Sequence, residues 1–303
     1  MNLPGGLIME VDGETQRLCD FSFRPITGAL ELRLQDLLHD CRANQDTHPL
    51  WISQFLTTVL ARIATHTIVQ SDEKSVAQGL ALVRELCVAD RHFLLLQWRL
   101  FVAGGSDYEW LSAHCPECEA RYDFPLEWAE LPIKPAGENF PQIRFRLSSA
   151  VNGEDEIQVR VPRGSDQEFI AQLTTRDATQ LRRALLQRLI LQENSAALIN
   201  HLSDEHIVAL ESALEQASPE IAEQLQLSCP ECGTQHQVQL DWYRGMHKPV
   251  DELLDQIHQL AANYHWSEQE ILALPQARRM AYLQRLERAR GISRWSNEGG
   301  AAL

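Results

Sequence analysis

Four cysteines carry the most specific chemistry in this sequence. Cys115 and Cys118 stand in "HCPECEARYDFPLEW", and Cys229 and Cys232 stand in "SCPECGTQHQVQLDW". A Cys-x-x-Cys turn aims two thiolates at one point, and two such turns supply the four sulfurs of a tetrahedral zinc site. A proline inside each turn helps its backbone bend tightly. Four thiolate ligands leave no open position for a substrate, so the Zn2+ predicted here is structural. A redox pair of the thioredoxin kind needs one Cys-x-x-Cys at a helix start after a strand, and neither pair has that setting. His114 and His236 are the nearby substitutes as ligands, and each reads as an ordinary strand histidine.

The repeat extends beyond the cysteines. Leu126-Glu127-Trp128 matches Leu240-Asp241-Trp242 at the same offset from its turn. "YEWLSAH" and "AEQLQLS" alternate as strands entering a knuckle, and "EARYDFPLEW" and "GTQHQVQLDW" alternate as strands leaving one. Two knuckles with paired strands make a zinc ribbon, here split by a long insertion. Closing so long a loop costs on the order of 4 kcal/mol of chain entropy, which a bound metal can offset.

The surrounding elements must hold the two halves together. "CDFSFRPITGALELRLQDLL" passes from an alternating strand into a helix near Ala29. "PLWISQFLTTVLARIA" places Ile52, Phe55, Leu56, Val59 and Ile63 on one helical face. Another helix starts near Lys74. Asp90 is the predicted N-cap of a helix over 91–103 that Gly104-Gly105 ends, apolar nearly all round and so central to the core. Between the knuckles, "QIRFRLSSAVNGEDEIQVRVP" reads as a hairpin with Asn152-Gly153 in its turn, followed by helices near 166–174, 176–192 and 204–217. Ser203 caps the last of these, with Ile207, Leu210 and Leu214 as its stripe. After the second knuckle, Val250, Leu253, Leu254, Ile257, Leu260, Ala261 and Tyr264 share one helical face, "SEQE" at 267–270 is a capping box, and Pro275 opens a final helix.

The fold class expected is therefore α+β, mostly helical, with a split four-cysteine zinc ribbon and a β-hairpin-plus-helices insertion. Residues 1–106 form an N-terminal helical region, 107–128 and 221–243 the two ribbon halves, 129–220 the insertion, and 244–303 the C-terminal helices.

The seven cysteines are an odd number, a poor disulfide framework; Cys19, Cys41 and Cys87 sit among apolar neighbours and read as buried small hydrophobes. A net charge of -15 argues against broad attraction to nucleic acid or anionic lipid. The first residues lack a basic-then-apolar leader and no segment is long and apolar enough to span a bilayer, so a cytoplasmic location is expected, without membrane partners.

No glycine-rich phosphate loop, HExxH helix or GxSxG elbow occurs. Asp90 and His92 in "ADRH" could suggest a catalytic pair, but a helix cap beside an exposed Arg91 explains them more simply. His258 and His265 are too far apart for one helical turn of metal ligands. An enzyme is not expected. Six arginines lie between Gln276 and Trp295 against Glu287 alone; a solvated helix face or an acidic partner accounts for them, with nucleic acid the less favoured reading.

"VADRHFLLLQWRLFVAG" followed by "CPECEARYDFPLE", and later "LSCPECGTQHQVQLDWY" with "IHQLAANYHWSEQEILALPQARRMAYLQRL", resemble the T-even-type baseplate hub assembly chaperone family of contractile phage tails and related injection systems. The resemblance implies a non-enzymatic assembly factor whose partners are baseplate hub, spike or tape-measure proteins. The alternatives are a structural subunit retained in the particle and a zinc-ribbon nucleic-acid binder.

Overall fold

The computed structural model describes residues 2–11, 13–42, 48–105, 107–151, 154–240 and 250–289. In chain order the elements begin with β1 (Asn2–Val11), β2 (Glu14–Phe23), α1 (Gly28–Arg42), α2 (His48–Val59), β3 (Leu60–Ile63), β4 (His66–Thr67), α3 (Glu73–Glu85) and α4 (Val88–Ala103). The first knuckle lies between β5 (Tyr108–His114) and β6 (Arg121–Glu127). The intervening segment holds β7 (Ile133–Lys134), β8 (Gln142–Val151), β9 (Glu154–Arg160), α5 (Gly164–Gln172), α6 (Ala178–Leu189), α7 (Ser195–His201), α8 (Asp204–Ala217) and β10 (Glu220–Ile221). The second knuckle lies between β11 (Gln224–Ser228) and β12 (Gln235–Gln239), and α9 (Val250–Tyr264), α10 (Glu268–Ala273) and α11 (Gln276–Ala289) follow. The chain is α+β, and most of its sheets are hairpins. It divides into two compact units, Met1–Arg24 with Asp40–Arg244, and Pro25–His39 with Gly245–Leu303.

In the first unit a four-stranded antiparallel sheet runs in the order β1-β2-β3-β4. The predicted stripe Ile52, Phe55, Leu56, Val59 and Ile63 is buried throughout, but the helix stops at Val59 and Ile63 lies in a strand. Thr57-Thr58-Val59 is a β-branched run with low helix propensity, and the Thr57 and Thr58 hydroxyls bond back to the carbonyls of Ser53 and Gln54. The Arg24 amide then takes the Val59 carbonyl at 2.8 Å, so the chain leaves as β3 against β2.

Helix α4 is central, as its composition predicted: Phe93, Leu94, Leu95, Leu96, Trp98 and Leu100 are buried. Gly104 ends it in the left-handed region. Its start differs from expectation. The N-cap is Cys87, whose side chain makes no cap bond, and Asp90 lies inside the first turn. There its buried carboxylate accepts the Gly5 and Gly6 amides, each at 2.7 Å, and so tethers β1 rather than capping the helix. Burial pushes the Asp90 carboxyl up, and the two glycine amides pull it back. Arg91 is likewise buried, not exposed. Its guanidinium donates to Ser53 Oγ and to the Pro49 carbonyl, both at 2.8 Å. Ser53 Oγ donates onward to Glu168 Oε1 at 2.5 Å, and Glu168 pairs with Arg84 at 2.7 Å. One polar chain thus joins α2, α3, α4 and α5. Gly164 opens α5 against this arginine, and a Cβ there would overlap the guanidinium.

The segment between the knuckles folds around its own core. Ile143, Ile157 and Val159 of the β8–β9 hairpin pack with Leu186, Leu198 and Leu210 of the three helices α6–α8. Asp177 and Ser203 cap α6 and α8, and the stripe Ile207, Leu210, Leu214 is buried as predicted. Helix α7 had no counterpart in the sequence reading; it is short and lacks a side-chain cap bond. The Asn152-Gly153 turn lies outside the described residues. Asp166, fully buried, receives Arg160, Arg188 and the Arg163 amide.

In the second unit Leu253, Ile257 and Leu260 of α9 pack with Ile271 and Leu283. Ala261 and Tyr264 line the same core, but Leu254 is 47% exposed and falls off the predicted face; Val250's side chain lies outside the described residues. Ser267 and Glu270 form the predicted capping box. Arg278, Arg285 and Arg288 of α11 are exposed, whereas Arg279 is buried against the Glu31 carboxylate and the Leu274 carbonyl. Arg290 and Trp295 lie outside the described residues.

Candidate metal centre

Each knuckle is built by the same local bonds. The Cys115 amide donates to the Ala120 carbonyl at 3.0 Å, and the Cys229 amide donates to the Thr234 carbonyl at 2.9 Å. The turn closes through the Glu119 amide on the Cys115 carbonyl, and through the Gly233 amide on the Cys229 carbonyl. Glu119 and Gly233 both hold positive φ, 59° and 76°. Glycine takes that conformation without steric cost; glutamate does so at about 1 kcal/mol or more.

The flanking strands repeat as well. The pairs Leu111↔Phe124 and Ala113↔Tyr122 in the first hairpin correspond to Leu225↔Val238 and Leu227↔His236 in the second. All four strands fall where the alternation predicted them. Leu126 and Leu240 of the repeated Leu-acid-Trp phrase are both buried. Trp128 is buried under the Arg99 guanidinium, 4.1 Å from the ring centroid, while Trp242 lies outside the described residues.

The two hairpins are separate sheets, and their cysteines meet. The four sulfurs lie within 4.8 Å of one another. Cys115 Sγ is 3.6 Å from Cys232 Sγ, and Cys118 Sγ is 3.7 Å from Cys229 Sγ. In a tetrahedral site with metal–sulfur bonds of 2.3 Å the sulfurs are about 3.8 Å apart, whereas a disulfide brings them to about 2.0 Å. The spacing therefore suits one shared ion. In each knuckle the first cysteine is buried and the second exposed. The Thr234 hydroxyl and amide pull Cys232 down to about 6. The Ala120 amide favours the Cys118 thiolate, but the sulfurs of Cys232, Cys115 and Cys229 outweigh it and push Cys118 up to about 12. A shared negative charge of this kind is what a cation would satisfy.

Behind the sulfurs, Tyr122 and His236 face each other across the two hairpins, hydroxyl to Nε2 at 2.9 Å. Burial pushes the Tyr122 hydroxyl up, and the sulfurs of Cys229 and Cys115 add to it. His236 Nε2 is engaged by Tyr122, and His114 is exposed at the end of β5. The sequence reading missed the Tyr122–His236 pair; the signal was present, since each residue stands four places after the second cysteine of its turn. A further support is the contact of His92 Nδ1 with Glu223 Oε1, 2.8 Å, which ties α4 to the approach of β11. Asp90 and His92, considered as a pair from sequence, have these different partners. Of the other cysteines Cys87 is buried, Cys19 is only half-buried, and the side chain of Cys41 lies outside the described residues.

The family model described as T4 bacteriophage base plate protein matches residues 54–243. No curated protein and no solved structure matches. The matched span opens inside α2 and closes just after β12, so it holds α4 with its buried Asp90 and Arg91, both knuckles and the whole segment between them. With more than half of its length matched, and with that span containing the complete four-sulfur cluster, the chain belongs to the T4 bacteriophage base plate protein family.

Proposed function

We propose that this protein is a non-enzymatic assembly factor for the hub of a contractile-tail or injection-system baseplate, stapled by one structural Zn2+ on Cys115, Cys118, Cys229 and Cys232. The observation that carries the baseplate reading is the family match over residues 54–243. The zinc reading is supported by four thiols at tetrahedral spacing. When bound, the ion supplies a closed cross-link between two remote segments and no vacant coordination position. The non-enzymatic reading is supported by how the buried charged groups are used: Asp90 holds β1, Arg91 and Glu168 join four helices, and Asp166 anchors Arg160 and Arg188.

The assembly role rests on the resemblance of both knuckles and the helices after them to hub assembly chaperones. Its partners would be hub, spike or tape-measure proteins, met in the cytoplasm. The family description favours a second reading equally, a subunit that stays in the baseplate. Nucleic-acid binding has less support, because Arg279 of the arginine-rich helix is buried against Glu31.

Affinity capture from cells making the particles, combined with mass spectrometry of purified particles, tests the proposal. An assembly factor is recovered with a hub, spike or tape-measure protein and is missing from finished particles. Stoichiometric presence in finished particles replaces it with the retained-subunit reading. Capture of none of those three partners sinks the assembly role.

A further inference from the structure

Helix α11 treats its arginines in two ways. Arg279 and Leu283 are buried, and Glu287, one turn after Leu283, is half-buried on the same side. Arg278, Ala281, Arg285 and Arg288 follow at spacings of three and four residues and form the opposite face, about 15 Å long, with all three arginines exposed. Arg279 has the Glu31 carboxylate, whereas among the described residues the outer three have none; Arg285 only turns back to the Ala281 carbonyl at 2.8 Å. In a chain with 42 Asp and Glu against 27 Lys and Arg, three neighbouring cations without an acid are the exception. The acids of the elements packed on α11 are engaged or placed elsewhere. Glu270 accepts the Ser267 amide at 2.9 Å, and Glu268 lies with it in the first turn of α10. Asp255 stands two residues from each of the buried Leu253 and Ile257, so it faces away from the buried side of α9. Glu252 is exposed one turn before Gln256, which contacts Arg279 and not the outer three.

We propose that the outer face of α11 docks an acidic segment of another baseplate protein, one that presents two or more carboxylates beside an apolar side chain. Charge complementarity names the occupant: guanidinium groups pair with carboxylates in a fixed fork geometry, and a face of three with no acid of its own accepts them without displacing an existing partner. The residues of this unit carry eight Lys and Arg against nine Asp and Glu, so the unit is near neutrality and the arginine face stands out within it. Tyr282, four residues after Arg278 and three before Arg285, is half-buried beside the stripe and stands edge to face on Trp266 with centroids 4.9 Å apart. Its ring offers the apolar contact, and Arg, Tyr and Trp are the types enriched at the energetic centres of interfaces. Three cations fall short of the about six to ten phosphate contacts that hold a protein to duplex DNA in salt, which sets nucleic acid aside. A second copy is set aside because two chains of net charge -15 repel. The inference uses the family membership but not the assembly role, and it holds equally for a retained subunit.

Overlapping peptides spanning the other baseplate proteins of the same particle, probed with the full-length chain, provide the test. The bound peptides are expected to carry Asp or Glu around an apolar residue. Binding of the best peptide in solution is expected to weaken about tenfold or more in R278Q/R285Q/R288Q and to lose much of its salt dependence there. Glutamine has nearly the helix propensity of arginine, and Arg279 with its Glu31 partner is left in place, so α11 is expected to persist. Circular dichroism reports whether the variant is folded, and should it lose its fold, R285E alone decides. The proposal is overturned if no peptide binds, if the bound peptides lack acidic residues, or if the folded variants bind as the parent does. It is also overturned if the face proves to join two copies of this chain, seen as self-association lost in R278Q/R285Q/R288Q, or to hold duplex DNA that competes with the peptides. None of these outcomes bears on particle composition, so failure here and failure of the assembly role are separate results.

Discussion

Tyr122 and His236 stand at equivalent places in the two knuckles and meet each other, the Tyr122 hydroxyl 2.9 Å from His236 Nε2 with the rings at right angles. Each half of the repeat contributes one residue to a clasp that lies beside the sulfurs but contains none of them. The two knuckles are therefore joined twice, once by thiols and once by a phenol–imidazole bond.

Removing the hydroxyl tests the second join. Y122F is expected to keep one metal per chain, to cost about 1 kcal/mol of stability, the usual net value of such a bond, and to release metal faster to a chelator. Chelator-competition kinetics and thermal melts check this. Unchanged release kinetics would reduce the clasp to a passive contact.

The thiol join is expected to dominate. C229S should fail to retain stoichiometric metal and should melt well below the parent, because the ion proposed for this cluster would fix residues 111 positions apart in sequence. Prolonged dialysis of the parent against a strong chelator should reproduce the variant's melting curve. Equal stability with and without chelator would show that the sulfur cluster does not contribute to the fold.

Burial of Arg91 leads to a strong expectation away from the metal. R91A removes the donor to Ser53 Oγ and to the Pro49 carbonyl and leaves a void in the core, while Glu168 keeps Arg84, and is expected to cost about 2–4 kcal/mol. G164A places a methyl group where the guanidinium lies and should be similarly damaging. In R91A/G164A the clash is gone, so the two changes should add to less than their sum. Urea titrations of the three variants measure the coupling.

Asp166 gives the protein a predictable acid response. Although burial alone would raise its carboxyl, Arg160, the Arg163 amide and Arg188 hold it below the ordinary aspartate range. A depressed folded-state value means that its contribution is complete above the unfolded pKa of about 3.9 and fades as pH falls through the lower folded value. D166N should therefore lose stability near neutrality and show a shallower decline in that acid window. Melting temperatures over the acid range distinguish this from a uniform loss.

Local patterns carried the four-cysteine cluster in full view: the spacing of Cys115, Cys118, Cys229 and Cys232, the alternation of the four strands and the caps at Ser203 and Ser267 are all short-range features. What escaped the sequence depended on distant chain. Asp90 looks like a helix cap until Gly5 and Gly6 are known to reach it, and Arg91 and Arg279 look solvated until Ser53 and Glu31 are placed beside them. The pattern of Ile52 to Ile63 suited one long helix, yet the Arg24 amide ended it at Val59. Charge alone does not reveal whether a residue has a partner inside.

The separation of the two knuckles also sets an order of events on the ribosome. Cys118 leaves the synthesis site 111 residues ahead of Cys229, a wait of about 6–20 s at bacterial-type elongation speeds. Throughout that interval the nascent chain carries half a ligand set. The hairpin-and-helix module between them has its own apolar interior and can condense in the meantime, bringing its two ends near each other before the last thiols emerge. Because β7 pairs with β10 across the ends of that module, its folding first would leave only a short gap for the thiols to close.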